Sequence, residues 1–109
     1  MRASYGNRWL MKKLTGTQRK YLRGLAHSLR PSVLIGHEGL SDSVMKTLDK
    51  ALDDKELIKV KFNKLKEEKE ASCVNIESST KSELVGLIGN VAIFYRQQAD
   101  PEKRKIKFS

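Results

Sequence analysis

Residues 32–41 read SVLIGHEGLS and contain the turn that decides the predicted fold. The apolar run at residues 32–35 is too short for a helix and predicts a buried strand. The turn Gly36-x-x-Gly39 follows directly, and Ser41 offers an N-cap to a helix that we expect over residues 42–55, where apolar residues recur along one stripe. A strand, a glycine turn and a helix N-terminus therefore follow one another without a break.

Upstream of this turn, an amphipathic helix is expected to begin at the hydroxyl N-cap of Thr15 and to end before Pro31. Arg19, Lys20 and Arg23 fall away from its apolar stripe, so we expect a basic outer face. Residues 1–13 show no periodicity and are interpreted as a flexible N-terminal extension. The apolar stripe consists of four residues at helical spacing: Tyr21, Leu22, Leu25 and Leu29.

Downstream of the turn, strand and helix signals alternate. Residues 57–62 alternate apolar residues with lysines, which is the period of a strand with one solvent-facing side. Residues 63–79 are expected to form a third helix. Gly89-Asn90 is expected to form a two-residue hairpin turn between strands at residues 84–88 and 91–95.

The alternative for residues 80–88 is a helix, since Thr80-x-x-Glu83 has the spacing of a capping box. We reject that helix because Gly86 and Gly89 interrupt the segment. Within the basic tail, residues 99–109, the stretch 104–108 alternates again, and the tail either adds an edge strand or stays loose. The prediction is a single compact α/β domain of order α-β-α-β-α-β-β, with helices packed on a small sheet.

The charge of the chain indicates a polyanionic partner. Lys and Arg total 22 against 13 Asp and Glu, a net charge of +9 at pH 7 over 109 residues. Nucleic-acid binders share such an excess, although solubility alone is the alternative explanation. The distribution favours a nucleic acid, because no acidic residue precedes Glu38 and the N-terminal third therefore carries one sign of charge.

Cysteine content and hydropathy indicate the compartment. The single cysteine, Cys73, allows no internal disulfide and no thiol pair for zinc, which favours a reducing environment. The longest apolar runs are far shorter than the ~20 residues of a membrane span, and no signal-peptide segment precedes them. We therefore expect a cytoplasmic protein with no membrane partner, in which Cys73 packs as a small hydrophobic residue.

The Gly36-x-x-Gly39 turn has chemistry of its own. A sharp reversal of the chain at a helix N-terminus leaves amide N–H groups exposed where the helix dipole favours an anion. We expect phosphate as the ligand of such a site. In KH domains, a loop of this pattern clamps a nucleotide backbone because glycines permit close approach. Taken alone, the pattern fits an ordinary structural turn equally well.

Several motifs, in a fixed order, extend the argument beyond the turn. Together they resemble the CRM domain, named for chloroplast RNA splicing and ribosome maturation, in its stand-alone bacterial YhbY form. The resemblance runs from Leu14 to Arg96, and we assign residues 14–98 to this domain. The motifs are TGTQRKYLRGLAH at residues 15–27, Pro31, VLIGHEGL at residues 33–40, ELIKVK at residues 56–61, Gly89 and Tyr95-Arg96.

The resemblance implies an α/β fold similar to the C-terminal domain of translation initiation factor three, with a KH-like glycine loop. It also implies binding of structured RNA rather than catalysis, since stand-alone bacterial members are associated with precursors of the large ribosomal subunit and plant relatives with intron splicing. The expected partner is large-subunit ribosomal RNA or its precursor particle. We expect no cofactor, no metal, no small-molecule substrate and a monomeric chain.

The family's RNA-binding surface combines the glycine loop with basic residues of the first helix, and we add basic residues that neighbour these two elements. The predicted RNA-binding residues are Gly36, His37, Glu38, Gly39, Lys12, Lys13, Arg19, Lys20, Arg23, His27, Arg30 and Lys46.

Loops of this type often carry a basic or small polar residue between the glycines, and Glu38 departs from that pattern. A carboxylate at this position would repel a phosphate group. Backbone amides and His37 are the better candidates for contact. Neither His27 nor His37 has a partner at metal-ligand spacing apart from the adjacent Glu38, so we expect no enzyme. Two alternatives stay open: a DNA-binding nucleoid-type protein, and an adaptor that docks an acidic protein.

Overall fold

A computed structural model of the chain describes residues 14–36, 39–63 and 68–107. Three helices and four strands follow one another in the predicted order α-β-α-β-α-β-β, which confirms the fold class. A short 3-10 helix, Pro101–Lys103, comes after the last strand. The elements are α1 (Gly16–Ala26), β1 (Val33–Ile35), α2 (Asp42–Lys55), β2 (Leu57–Phe62), α3 (Lys69–Thr80), β3 (Glu83–Ile88) and β4 (Val91–Tyr95).

The four strands form one mixed sheet in the order β1-β2-β4-β3. Strands β1 and β2 are parallel and are joined through α2, whereas β4 lies antiparallel to both β2 and β3. Strands β3 and β4 form the predicted hairpin, whose turn is Gly89-Asn90; Gly89 has φ +59°, a conformation that glycine adopts without strain.

Both predicted N-caps are confirmed. The Thr15 hydroxyl accepts a hydrogen bond from the Gln18 amide at 3.1 Å, and the Gln18 side chain accepts one from the Thr15 amide at 3.0 Å, which completes a capping box. The Ser41 hydroxyl accepts a hydrogen bond from the Val44 amide at 3.2 Å. These caps satisfy amides at the helix N-termini that have no partner within the helix.

The main core lies between the sheet and the two helices α2 and α3. Alternate residues of each strand point into it, as the two-residue period of a strand requires. Cys73 packs in this core as a small hydrophobic residue, and burial is the main reason that the pKa of its thiol rises to about 11. The buried members are Val33, Ile35, Leu48, Leu52, Ile58, Val60, Phe62, Cys73, Ile76, Ala92 and Phe94.

A smaller core lies on the opposite face of the sheet, under α1. Its buried members are Leu22, Ala26, Leu57, Val85, Ile93 and Tyr95. Only Leu22 of the predicted α1 stripe is buried, whereas Tyr21, Leu25 and Leu29 are exposed. The predicted stripe was wrong because α1 ends at Ala26 and turns the face bearing Leu22 and Ala26, one helical turn apart, toward the sheet.

Strand β1 is only half buried. Val33 and Ile35 face the main core, but the side chain of Leu34 between them is 60% exposed. The prediction of a fully buried strand was therefore wrong at this position, because α1 does not extend over the edge of the sheet that β1 forms.

The start of the third helix also differs from the prediction. The Asn63 amide donates to the Ile35 carbonyl at 2.8 Å, so Asn63 continues the pairing of β2 with β1 and is not helical. Residues 64–67 lie outside the described residues, and α3 begins at Lys69. Thr80, the rejected N-cap, ends this helix and donates its hydroxyl to the Ile76 carbonyl at 2.7 Å.

The C-terminal tail is held by a buried carboxylate. Residues 104–107 form no strand; instead Glu56, which is 1% exposed, accepts amide hydrogen bonds from Lys105 at 2.7 Å and Ile106 at 2.9 Å with one oxygen, and from Gln98 at 2.8 Å with the other. Glu56 also ends α2 at φ +67°, a strained conformation for a non-glycine residue. Burial and then the Glu56 charge raise the pKa of Tyr95 to about 12.

Replacing Glu56 with glutamine tests this anchor. The amide group cannot accept with both of its ends, so at least one buried N–H loses its partner, and we expect the free energy of unfolding in urea to fall by about 2 kcal/mol. Asp54→Asn is the matched control, because the Asp54 side chain is 60% exposed, and we expect a change below about 0.5 kcal/mol. Equal stability of the two variants would contradict the role given to Glu56.

Candidate nucleic-acid interface

The glycine turn lies at the edge of the sheet where β1 ends. The Gly39 amide donates to the Gly36 carbonyl at 3.0 Å, which closes the turn, and Ser41 begins the capping of α2 two residues later. His37 and Glu38, between the glycines, lie outside the described residues.

The two glycines have different structural requirements. Gly39 has φ +80°, where a side chain would strain the backbone. Gly36 has no such φ, and apart from Gly36 itself and its chain neighbours no heavy atom of the described residues lies within 4 Å of the position that a Cβ would occupy. Among the described residues, neither a positive φ nor a close neighbour requires glycine at position 36, and a ligand has room to approach the main chain there.

The hairpin turn shares this edge with the glycine turn. The Phe62 amide donates to the Asn90 carbonyl at 2.8 Å, and Asn63 pairs with Ile35, so Gly36 and Asn90 flank the end of β2. The Lys69 ammonium donates to the Gly89 carbonyl at 2.5 Å and to the Asn90 side chain at 3.2 Å. Lys69 is therefore already engaged in holding the hairpin.

Two arginines of α1 contact strand β3. The Arg19 guanidinium forms an ion pair and hydrogen bond with Glu83 of β3, and the Arg23 guanidinium donates to the Val85 carbonyl at 3.2 Å. The prediction of an outward position is wrong for Arg19, which is partly buried, because positions 19, 22, 23 and 26 share one helical face and Leu22 and Ala26 pack that face against the sheet. Arg23 shares this face but stays exposed.

Gly86 explains how Arg23 lies so close to β3. A Cβ at position 86 would stand 2.9 Å from Cδ of Arg23, so the absence of a side chain makes room for the arginine stem. Arg23 is still an exposed residue, whereas Arg19 is partly buried against Glu83.

Strand register sets how far these residues lie from the glycine turn. Glu83 is in register with Tyr95 and Leu57, while the turn follows Ile35, which is in register with Phe62. Leu57 and Phe62 are five strand positions apart, about 17 Å. Arg19 therefore lies at the far end of the sheet and is separated from the loop that it was predicted to assist.

The C-terminal end of α1 lies closer to the glycine turn. His27 caps the helix, and His27, Arg30 and Lys20 are exposed. The Lys59 ammonium donates to the carbonyl of Leu29 at 3.0 Å and to that of His27 at 3.5 Å, which places a positive charge where the helix dipole favours one.

Lys46 is exposed on α2, in the second turn after Ser41. It borders a shallow depression between α2 and α3, opposite the face that carries α1. Arg96 donates to two residues of its lining, to the Asp49 carboxylate at 2.6 Å and to the Thr80 carbonyl at 2.8 Å, and so links α2 to α3. Lys12 and Lys13, also predicted, lie outside the described residues.

Two lysines of β2 were not included among the predicted RNA-binding residues. Lys59 and Lys61 alternate with core residues and point to the face that carries α1. The alternation at residues 57–62 was the signal that could have identified them, since it predicts lysines on the solvent-facing side of a strand.

The described residues offer neither a metal site nor a membrane-spanning helix. In residues 14–36, 39–63 and 68–107, no cluster of three or more His, Cys, Asp or Glu side chains is arranged to hold a metal ion. Within the same ranges, no helix combines the length and apolar character that a membrane span needs.

Comparison with known proteins decides the family. The sequence model of the CRS1 / YhbY (CRM) domain matches residues 14–96. The chain belongs to the CRM domain family. The match begins at the residue before the α1 N-cap and ends at Arg96, so it contains the whole sheet and all three helices.

Relatives in this family carry RNA-binding names. A probable RNA-binding protein of Pseudomonas aeruginosa is 34% identical over 91 residues, which cover 83% of this chain and 88% of that protein. An RNA-binding protein of Haemophilus influenzae is 38% identical over 87 residues, or 79% of this chain and 88% of its own length. The solution structure of a hypothetical Staphylococcus aureus protein, proposed to bind RNA, superposes with a TM-score of 0.71 at 35% identity and covers 87% of this chain and all of that one.

Proposed function

We propose that this protein binds structured ribosomal RNA during assembly of the large ribosomal subunit, as a monomer in the cytoplasm. The observation that carries the proposal is the glycine turn at the N-terminus of α2, where Gly36 has space for a side chain and no backbone need for glycine. A phosphate group that approaches the main chain closely supplies the missing reason. The RNA-binding names of family members support RNA as the polymer.

The lysine and arginine side chains fall into two groups, those that join elements of the fold and those that are exposed to solvent. Arg19, Arg96 and Lys69 hold elements together, so they contribute little to phosphate binding. Lys61 and Arg30 are both exposed. Lys61 precedes Phe62, which is in register with Ile35 at the end of β1, whereas Arg30 lies on the segment that leads into β1, six residues before Gly36. We assign to these two residues the main electrostatic contact with RNA outside the loop.

The turn itself binds through its backbone. Asp42 occupies the first turn of α2 and already compensates part of the helix dipole, and Glu38 adds a second carboxylate nearby in sequence. Phosphate binding at this edge therefore depends on the amide N–H groups of the turn other than that of Gly39, which closes the turn, and on the flanking cations. His37 contributes a further donor.

Salt dependence of RNA binding tests the electrostatic assignment. For a fragment of large-subunit ribosomal RNA, we expect Arg30→Ala/Lys61→Ala to reduce the log-log salt slope by roughly 1.5 to 2, because two phosphate contacts are lost. The matched control is Lys50→Ala/Lys55→Ala on the opposite side of the sheet, where we expect the wild-type slope. Equal slopes for both double variants, or displacement of the RNA by duplex DNA at equal salt, would contradict the proposal.

The variant Gly36→Asp tests the turn itself. It should weaken RNA binding while its thermal unfolding curve stays that of the wild type.

The assembly role has a separate test. On a sucrose gradient of bacterial lysate, the protein should co-sediment with precursors of the large subunit, and nuclease treatment should release it because the contact is with RNA. Co-sedimentation that survives nuclease would indicate an acidic protein partner instead, and would contradict binding through RNA.

A further inference from the structure

One row of side chains crosses the whole sheet on the face that carries α1. Leu34 is in register with Lys61, Lys61 with Val91, and Val91 with Ile88, so the row takes one residue from each strand. Residues directly opposite each other in neighbouring strands point to the same face. We call Leu34, Lys61, Val91 and Ile88 the open row.

The open row is not covered by α1. Leu34 is 60% exposed and Ile88 is 65% exposed, while Val91 between them is partly buried. The helix ends at Ala26, and Lys59, two residues before Lys61, donates to the carbonyls of His27 and Leu29 just after the helix. The helix therefore covers the sheet only as far as Lys59, and the open row lies beyond its end.

The size of the open row suits a short stretch of nucleic acid. Four strands at their normal spacing place Leu34 and Ile88 about 14 Å apart. Other RNA-binding modules present two or three splayed bases on a sheet of four strands. Here the side chains are aliphatic, so contact with bases would remove apolar surface from water and would not depend on aromatic stacking.

Charge and position favour RNA as the occupant. The only charged member of the open row is Lys61, which is exposed, and Lys59 adds a second cation on the same face. The row is also continuous with the proposed phosphate site, because Leu34 lies two residues before Gly36 in the same chain segment. An RNA strand whose backbone is bound at the glycine turn would therefore place its neighbouring nucleotides over the open row.

We propose that the open row binds unpaired nucleotides, with bases against Leu34, Val91 and Ile88 and a phosphate group at Lys61. This inference rests on the proposed function and adds to it the class of RNA: the protein prefers structured RNA in which an unpaired loop or bulge adjoins the backbone held at residues 36–39. A fully paired duplex offers the phosphates but keeps its bases stacked inside the helix.

The test compares two RNA probes of equal nucleotide count, a hairpin with an unpaired loop and a blunt duplex. The variant Leu34→Thr/Ile88→Thr keeps residues that suit a strand and removes apolar surface. We expect it to bind the hairpin about tenfold more weakly than the wild type does, with an unchanged salt slope and unchanged affinity for the duplex. Val74→Thr is the control, since Val74 is 62% exposed on α3, across the sheet from the open row.

The possible failures are distinguishable. If the wild type binds neither probe, the proposed function itself fails. If the wild type binds the hairpin and Gly36→Asp weakens that binding, but Leu34→Thr/Ile88→Thr binds the hairpin like the wild type, the proposed function stands and the open row has another occupant. A concentration-dependent dimer that the double variant abolishes would assign the row to a second copy of the chain and overturn the inference.

Discussion

Parallel pairing of β1 with β2 is the constraint on which the other features depend. Parallel neighbours cannot be joined by a tight turn, so α2 must cross over the sheet between them. The pairing continues to the bond from Asn63 to Ile35, which brings the end of β1 beside the end of β2. The glycine turn, the N-terminus of α2 and the hairpin turn consequently meet at one edge. The same register aligns one residue of each strand in the open row.

Most of the positive charge near the sheet has a structural role, so net charge overstates the size of the binding surface. Arg19 neutralises Glu83, Arg96 joins α2 to α3, and Lys59 caps α1. Lys61, next to the end of β2, remains exposed. The surface that results combines a close-approach backbone, a few exposed cations and an apolar strip, which is a surface suited to RNA with both paired and unpaired parts.

The sequence predicted local features well and long-range contacts poorly. The caps at Thr15 and Ser41 and the Gly89-Asn90 turn depend on residues within a few positions of one another, so composition and spacing revealed them. The contact between Arg19 and Glu83 joins residues 64 positions apart, and no periodicity encodes it. The exposure of Leu34 depends on where α1 ends over the sheet. The apolar pattern of α1 did not predict that position correctly. The burial of Glu56 could not be predicted without knowing where the C-terminal tail packs.

The most direct measurement of the central claim is a titration of the backbone amide NMR spectrum with the loop-containing RNA hairpin. We expect the largest chemical-shift changes at Gly36, Gly39, Lys61 and Ile88, at the shared edge and along the open row. Amides of Asp49 and Asp53, across the sheet on α2, should keep their positions. Shift changes confined to α2 and α3, with Gly36 and Ile88 unmoved, would contradict that claim.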